Sequence, residues 1–126
     1  MDQLYREQII DHYKNPRNQA DDSQIEAMTS WAELKNLSCG DEIKLGVNVN
    51  DNKIKSIKFN GSGCAVCISA ASIISEELIA ENISEVKNYT YEDLTEIVGY
   101  EPSPSRIKCL HLGLLTLQEA ITKLES

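Results

Sequence analysis

The stretch Gly61-Ser62-Gly63-Cys64-Ala65-Val66-Cys67 marks the point at which the sequence pattern changes from strand to helix. Before this stretch, apolar and polar residues alternate, as they do in a half-buried strand. After it, residues 65–80 contain neither proline nor glycine and begin apolar on nearly every side, which predicts a buried helix. The two glycines permit a sharp turn between the elements, so Cys64 is expected at the start of the helix.

The residues before this stretch predict an antiparallel hairpin. Apolar residues alternate over residues 43–49, Asn50-Asp51-Asn52 supplies the turn, and residues 53–60 return. Ile54 is out of phase with the other apolar residues of the second strand, which indicates a β-bulge or a shifted register. The pattern over residues 25–34 is mixed and indicates a further strand only weakly.

The amino-terminal residues predict an amphipathic helix over residues 3–14. Asp2 is available as its N-cap, and Asn15-Pro16 is a typical stop signal. The polar residues 15–24 that follow predict a mobile connection to the sheet.

The carboxy-terminal third predicts two more helices. Thr90-Tyr91-Glu92-Asp93 is typical of a capping box that opens a short helix through Val98, with Gly99 as its end. Ser103-Pro104 is expected to start the last helix. That helix carries one apolar stripe, formed by Ile107, Leu110, Leu114, Leu117, Ile121 and Leu124.

Together these elements predict an α+β fold over a single domain, residues 1–126. We expect a small antiparallel sheet of about three strands with helices packed on one face. An amino-terminal helix and a long carboxy-terminal helix would frame this sheet.

The composition of the 126 residues excludes several classes of partner. The net charge is -8 and no basic stripe is present, so a nucleic acid is not expected to bind. No apolar run reaches the roughly 18 residues that a membrane-spanning helix needs. The four cysteines follow no apolar signal segment, which favours reduced thiols in the cytoplasm and metal or sulfur chemistry.

Three separated segments carry residue types that bind metals: Cys39-Gly40-Asp41, Cys64 and Cys109. Cys64 and Cys109 are both expected near helix amino termini, where the macrodipole lowers the pKa of a thiol. Three thiolates and one carboxylate suit zinc or an iron-sulfur cluster. A hard oxygen ligand among sulfurs is expected to make a cluster labile.

The same residues allow other interpretations. Each thiol taken alone is also typical of a small buried side chain. Cys64 and Cys67 form a C-x-x-C pair that could cycle a disulfide, although the chain lacks a βαβ context, and Cys67 by itself is expected in the core. His111 follows Cys109 by two positions and therefore points away from it on a helix. We expect both His111 and His12 at the surface or its edge.

Four ordered motifs resemble the U-type iron-sulfur cluster scaffold family, with its IscU and SufU branches and the related amino-terminal domain of NifU. The resemblance spans nearly the whole chain. Its motifs are Leu4-Tyr5-Arg6 with residues 11–18, Cys39-Gly40-Asp41, Gly61-Ser62-Gly63-Cys64 continuing into residues 69–72, and Arg106-Ile107-Lys108-Cys109.

The resemblance implies that Cys39, Asp41, Cys64 and Cys109 are the ligands of the site. It implies a 2Fe-2S cluster first, a 4Fe-4S cluster second, and Zn²⁺ as an alternative occupant. The protein would be a scaffold or sulfur acceptor rather than an enzyme, and a monomer or weak dimer. It would receive persulfide sulfur from a PLP-dependent cysteine desulfurase and pass the cluster to apo-proteins. The SufU branch suggests Cys39 as the persulfide acceptor, and the IscU branch suggests Cys109.

The chain departs from both branches. Lys108 replaces the histidine that precedes the third cysteine in the IscU branch and is similar to the SufU branch. The short span from Cys64 to Cys109 lacks the insertion that is usual in the SufU branch and is similar to the IscU branch. Cys67 replaces a residue that is usually small. Two functions therefore stay open: a cluster scaffold, and a zinc-binding sulfurtransferase that accepts persulfide without building the cluster. The acidic composition is compatible with docking on a basic desulfurase patch.

Overall fold

The computed structural model of the chain describes residues 3–125. In chain order, its elements are α1 (Gln3–Lys14), α2 (Asp22–Glu26), β1 (Ser30–Asn36), β2 (Asp41–Asn50), β3 (Lys53–Ser62), α3 (Ala65–Glu77), α4 (Ile83–Lys87), α5 (Tyr91–Val98), a 3-10 helix (Pro104–Arg106) and α6 (Ile107–Glu125). The predicted N-cap of α1, Asp2, lies outside the described residues.

The three strands form one antiparallel sheet in the order β1-β2-β3. Leu45 at the middle of β2 is opposite Ala32 on β1 and Phe59 on β3. The register of β2 and β3 shifts between Asn48 and Val49, which confirms the predicted irregularity. The sheet is therefore the predicted hairpin of β2 and β3, with β1 paired to the other edge of β2.

The core lies between one face of this sheet and the long helices α3 and α6. Ile43, Leu45 and Val47 of β2 are fully buried on that face. Helix α6 packs across β1 and β2, while α3 packs against β3 and against α6. This arrangement confirms the predicted α+β architecture with its long carboxy-terminal helix.

The two predicted carboxy-terminal helix starts have different outcomes. Thr90 and Asp93 form the predicted capping box of α5, and Gly99 ends that helix in the left-handed conformation. Ser103-Pro104 instead begins the 3-10 helix, and Ser103 makes no side-chain capping bond. Helix α6 starts at Ile107, after the 3-10 helix, so the predicted start at Ser103-Pro104 is too early.

The polar connection over residues 15–24 is held by backbone hydrogen bonds, so the prediction of a mobile segment is wrong. The amide of Ala20 donates to the carbonyl of Phe59 (3.0 Å), and the amide of Phe59 donates to the carbonyl of Asn18 (3.0 Å). The chain then forms α2, which lies against the outer face of the sheet at Gly46. Polar side chains gave no signal of these bonds because main-chain atoms form them.

His12 is buried, so its predicted surface position is wrong. It is 8% exposed, and its Nδ1 atom lies 2.7 Å from the hydroxyl oxygen of Ser72 on α3. The amide of Arg17 donates to the same hydroxyl oxygen (2.9 Å). Burial lowers the pKa of His12, and the charge of Arg17 lowers it further. These contacts attach α1 and the residues after it to the middle of α3.

None of the described helices combines the length and the apolar character that crossing a bilayer requires.

Candidate metal centre

The carboxylate of Asp41 joins two of the three predicted segments. Asp41 is the first residue of β2 and is 4% exposed. Its Oδ2 atom accepts a hydrogen bond from the thiol of Cys39 (3.1 Å), two residues earlier in the turn between β1 and β2. Its Oδ1 atom accepts from the backbone amide of Cys64 (3.2 Å). The start of β2 and the start of α3 are therefore held together by one side chain.

The third segment brings Cys109 to the same place. Cys109 lies in the first turn of α6, and its sulfur is 3.8 Å from the sulfur of Cys39. One ligand atom from each of Cys39, Asp41 and Cys109 lies within 4.8 Å of the other two. Tetrahedral zinc with bonds of about 2.3 Å to two sulfurs separates those sulfurs by about 3.8 Å. The two thiols and the carboxylate therefore fit a tetrahedral metal.

Cys64 lies beside this group but is not part of it. It is the N-cap residue of α3, as the sequence predicts, and it is partly buried. Its thiol is near enough to that of Cys109 to help raise the pKa of the Cys109 thiol. Three of the four predicted ligands thus come together, and the fourth is adjacent to them.

Gly61 and Gly63, which precede Cys64, make room for this arrangement. A Cβ atom at Gly63 would lie 2.8 Å from Oδ1 of Asp41. At Gly61, where φ is +154°, a Cβ atom would lie 2.1 Å from the backbone oxygen of Glu42. A side chain at either position would therefore collide with β2, and at Gly63 it would displace the carboxylate itself.

The electrostatics of the group favour a charged Asp41 carboxylate and a protonated Cys109 thiol. Burial raises the pKa of Asp41, but hydrogen bonds from Cys109, Cys39 and the Cys64 amide outweigh burial and hold that pKa below its usual value. Burial raises the pKa of the Cys109 thiol, and its contact with Asp41 raises it further. The predicted lowering at the start of α6 is wrong, because a buried thiolate next to a carboxylate outweighs the helix dipole.

Arg106 is a further charged residue at the site, and the sequence patterns did not predict a role for it. It is exposed on the 3-10 helix, and a hydrogen bond with Cys109 and the charge of Cys64 raise its pKa. Its charge also helps to lower the pKa of Asp41. A basic residue three positions before a thiol at a helix start was the available signal.

Three other residues considered in the sequence analysis lie outside the group formed by Cys39, Asp41 and Cys109. His111 is half-buried, which agrees with its predicted position at the edge of the surface, and its ring is edge-on to Tyr91 at 5.6 Å between centroids. Lys108 is exposed. Cys67 is fully buried in the core, as predicted.

Comparisons with known proteins agree on one family. The sequence model of the family described as the NifU-like N terminal domain matches residues 4–126. The chain is 28% identical to the zinc-dependent sulfurtransferase SufU of Bacillus subtilis, covering 99% of this chain and 94% of that protein. It is 32% identical to the iron-sulfur cluster assembly scaffold protein IscU of Thermotoga maritima, covering 96% and 94%.

A solved structure has the same fold. It is a candidate iron-sulfur cluster assembly scaffold protein for the SUF system from Fervidobacterium islandicum, 27% identical, with a TM-score of 0.73 over 91% of this chain and 94% of that chain.

Proposed function

Because this chain belongs to the NifU-like N-terminal domain family, we propose that it is an iron-sulfur cluster assembly scaffold. It receives sulfur from a cysteine desulfurase, assembles a labile cluster, and transfers that cluster to apo-proteins. The observation that carries this proposal is the convergence of Cys39, Asp41 and Cys109, with the Asp41 carboxylate also bonded to the Cys64 amide. The cluster is cargo in this function, with 2Fe-2S as the first expectation and 4Fe-4S as the second.

In this proposal Cys64 is the fourth ligand. Its backbone is tied to Asp41, so a change of its χ1 rotamer alone redirects the thiol without moving α3. Asp41 is the one oxygen ligand, and it weakens the hold on a cluster that prefers thiolates. A scaffold needs such a ligand because its cluster must leave.

We assign the first contact with incoming sulfur to Cys39. It is the exposed cysteine of the group, whereas Cys109 is 1% exposed and lies behind it. A persulfide on a partner protein reaches Cys39 first, so Cys109 is the alternative acceptor, supplied through Cys39. The sulfur donor is expected to carry its own PLP.

A groove beside Cys39 supports docking of the desulfurase there. Its volume is about 570 Å³, and its lining is mainly apolar. Leu37, two residues before Cys39, is 93% exposed at its rim, and Leu115 on α6 is 41% exposed. Exposed leucines next to a reactive thiol favour a protein partner at this face. We place this encounter in the cytoplasm, where thiols stay reduced, and retain the expected monomer or weak dimer.

A second function is a zinc-dependent sulfurtransferase. Two observations favour it: the exposed Lys108 at the position before Cys109, and the sulfur separation of 3.8 Å that suits tetrahedral zinc. In this function the metal is resident and the thiol of Cys39 accepts the persulfide sulfur. No cluster is built on this chain.

The deciding experiment is anaerobic reconstitution with iron, cysteine, a cysteine desulfurase and excess dithiothreitol, on protein of known zinc content. Visible absorption reports sulfide-to-iron charge transfer. We expect these bands in the wild type and their loss in Cys64→Ser. The matched control Cys67→Ser should retain them, because Cys67 is not one of the proposed ligands and excess dithiothreitol releases sulfide from persulfide in both proteins.

A colourless protein that keeps one zinc and still accelerates the desulfurase would replace the scaffold function with the sulfurtransferase function. In that case Cys39→Ser should abolish the acceleration. A protein that neither forms a cluster nor accelerates the desulfurase would contradict both functions.

A further inference from the structure

Cys67 is a buried thiol next to the candidate site with no part in metal binding. It occupies the third position of α3, whereas Cys64 is the N-cap of the same helix. This is the C-x-x-C spacing at a helix start, at which two thiols are close enough to form a disulfide. Cys67 is fully buried, whereas Cys64 is partly accessible.

The side chain of Cys67 lies beneath the site rather than in a remote part of the core. A Cβ atom at Gly63 would lie 3.2 Å from the Cβ of Cys67 and 3.1 Å from the carboxyl carbon of Asp41. Cys67 therefore packs directly behind the loop that presents Cys64. Burial raises the pKa of its thiol, and the charges of Asp41, Cys64, Cys109 and Cys39 raise that pKa further, so the thiol keeps its proton at neutral pH until it reacts.

We propose that Cys67 is a resolving thiol that releases sulfide from a persulfide on Cys64. This inference rests on the proposed function, because it needs sulfur delivered as persulfide. A persulfide on exposed Cys39 exchanges its terminal sulfur with the thiol of Cys64, with no net oxidation. The thiol of Cys109 interacts with those of Cys39 and Cys64, so the three thiols are near neighbours.

The release step balances without an external oxidant. The sulfur of Cys67 attacks the inner sulfur of the Cys64 persulfide, and a Cys64–Cys67 disulfide bond forms. The bond between the inner and terminal sulfurs breaks, and the terminal sulfur leaves with that electron pair. It takes the proton of the Cys67 thiol and departs as hydrogen sulfide. Cys67 is oxidised, the terminal sulfur is reduced, and a thiol reductant later restores both cysteines by disulfide exchange.

The burial of Cys67 suits this role. A resolving thiol that is shielded from solvent does not react with external oxidants or bind persulfide itself. It reacts only when a sulfur atom is placed next to it on Cys64. A cluster is built from sulfide, whereas a persulfide carries sulfur at a higher oxidation level. The Cys64 and Cys67 thiols supply the two electrons that reduce the terminal sulfur to sulfide.

The test uses the full chain freed of metal by a chelator and loaded anaerobically with inorganic polysulfide, without a desulfurase. Excess polysulfide is removed, and no reductant is present. Released sulfide is measured colorimetrically, and the chain is analysed by intact mass and peptide mapping. For the wild type we expect about one sulfide per disulfide formed, and a loss of two hydrogen atoms mapped to the peptide with Cys64 and Cys67.

In Cys67→Ser and in Cys67→Ala we expect the added sulfur to stay on Cys64 and sulfide release to slow by about tenfold or more. Alanine is included because it keeps the buried position apolar. Circular dichroism confirms that both variants fold.

Equal sulfide release from the wild type and both variants would overturn the proposal. A disulfide that maps to Cys39 and Cys109, whose sulfurs are 3.8 Å apart, would also overturn it. Because polysulfide replaces the desulfurase, these outcomes are independent of whether the desulfurase recognises this chain. Failure of the proposed function appears separately, as no desulfurase acceleration and no cluster.

Discussion

At the scale of single residues, Asp41 is the side chain that holds the parts of the site together. It accepts hydrogen bonds from Cys39 and from the Cys64 amide, and its pKa stays low although it is buried. A charged carboxylate held this way is available as a ligand at neutral pH. It also positions two segments that the sequence separates by more than twenty residues.

Asp41→Ala tests the role of the oxygen ligand. We expect a cluster assembled on this variant to persist longer and to transfer to an apo-ferredoxin about tenfold more slowly, a change of about 1.4 kcal/mol in the barrier. Transfer is followed by circular dichroism of the acceptor cluster. Glu42→Ala, at the neighbouring position of β2, is the matched control and should transfer at the wild-type rate. Faster transfer from Asp41→Ala would show that the carboxylate does not labilise the cluster.

Gly63→Ala tests the space that the carboxylate needs. The new Cβ atom would lie 2.8 Å from Oδ1 of Asp41, so either the carboxylate or the loop must move. We expect zinc affinity to fall by about 10- to 100-fold, as it does when the support of a ligand is disturbed. Competition with a chromogenic chelator measures this affinity. The control is Gly40→Ala, whose added Cβ meets nothing within 4 Å but whose φ of +78° imposes backbone strain alone. Equal affinity losses in the two variants would show that the effect does not depend on contact with the carboxylate.

At the scale of elements, α3 connects the site to the amino-terminal helix. Its start carries Cys64, and its middle carries Ser72, which bonds to His12 of α1. Asn18 also donates to the hydroxyl of Ser75 on the same helix (2.9 Å). The packing of α1 on α3 therefore includes a polar seam in addition to apolar contacts.

The buried His12 in these contacts predicts that the stability of the protein depends on pH. Burial and the charge of Arg17 lower the pKa of His12 against the opposing charges of Glu76, Asp11 and Glu77, so the folded protein disfavours the protonated ring. The unfolded state binds the proton more readily, and the free energy of unfolding should decrease as pH falls below about 6.5. The contribution of His12 to stability is fully present above that pH.

Urea unfolding of metal-free protein at about pH 7.5 and about pH 5.5 measures this dependence. His12→Gln should be less stable than the wild type at the higher pH by about 1 kcal/mol, for the lost buried contact, and should lose less stability on acidification. His111 also has a lowered pKa because of burial, so His111→Gln is the matched control for the other histidine. An unchanged pH dependence in His12→Gln would remove His12 as its source.

At the scale of the whole molecule, the net charge does not describe the face that carries the site. The chain has a charge of -8, yet Lys35 and Lys108 line the groove beside Cys39, and Arg106 lies at the thiols. Docking of an acidic surface on a basic desulfurase patch stays a prediction. The local charges favour a partner surface that is neutral or acidic where it meets the groove.

Leu37→Asp tests the groove as the docking face. Leu37 is 93% exposed, so the substitution should change the free energy of unfolding by less than about 0.5 kcal/mol. We expect the concentration of this protein that half-saturates desulfurase acceleration to rise about tenfold, by about 1.4 kcal/mol. The matched control is Ile79→Asp, at an apolar residue that is 40% exposed. Ile79 follows the far end of α3, about 20 Å along the helix from Cys64. Similar half-saturation for both variants would place the interface elsewhere.

The features of this protein that follow from its sequence alone are local. The hairpin with its register shift, the capping box of α5, the buried helix after Gly63 and the apolar stripe of α6 follow from patterns within a few residues of each other. The choice of candidate ligands also came from the sequence, because residue types at helix starts and loop ends limit the chemistry. Family resemblance then assigned those residues to one set, and three of them converge in the structure.

The contacts between distant segments, in contrast, depend on how the chain packs in three dimensions. Asn18 and Ala20 bond to Phe59 through main-chain atoms, and His12 is covered by α3. Burial beside Asp41 raises the pKa of Cys109. Arg106 and Cys67 acquire a place at the site in the same way. The physical reason is common to these cases: burial and charge interactions depend on which segments pack together, and a pattern along the chain does not contain that distance.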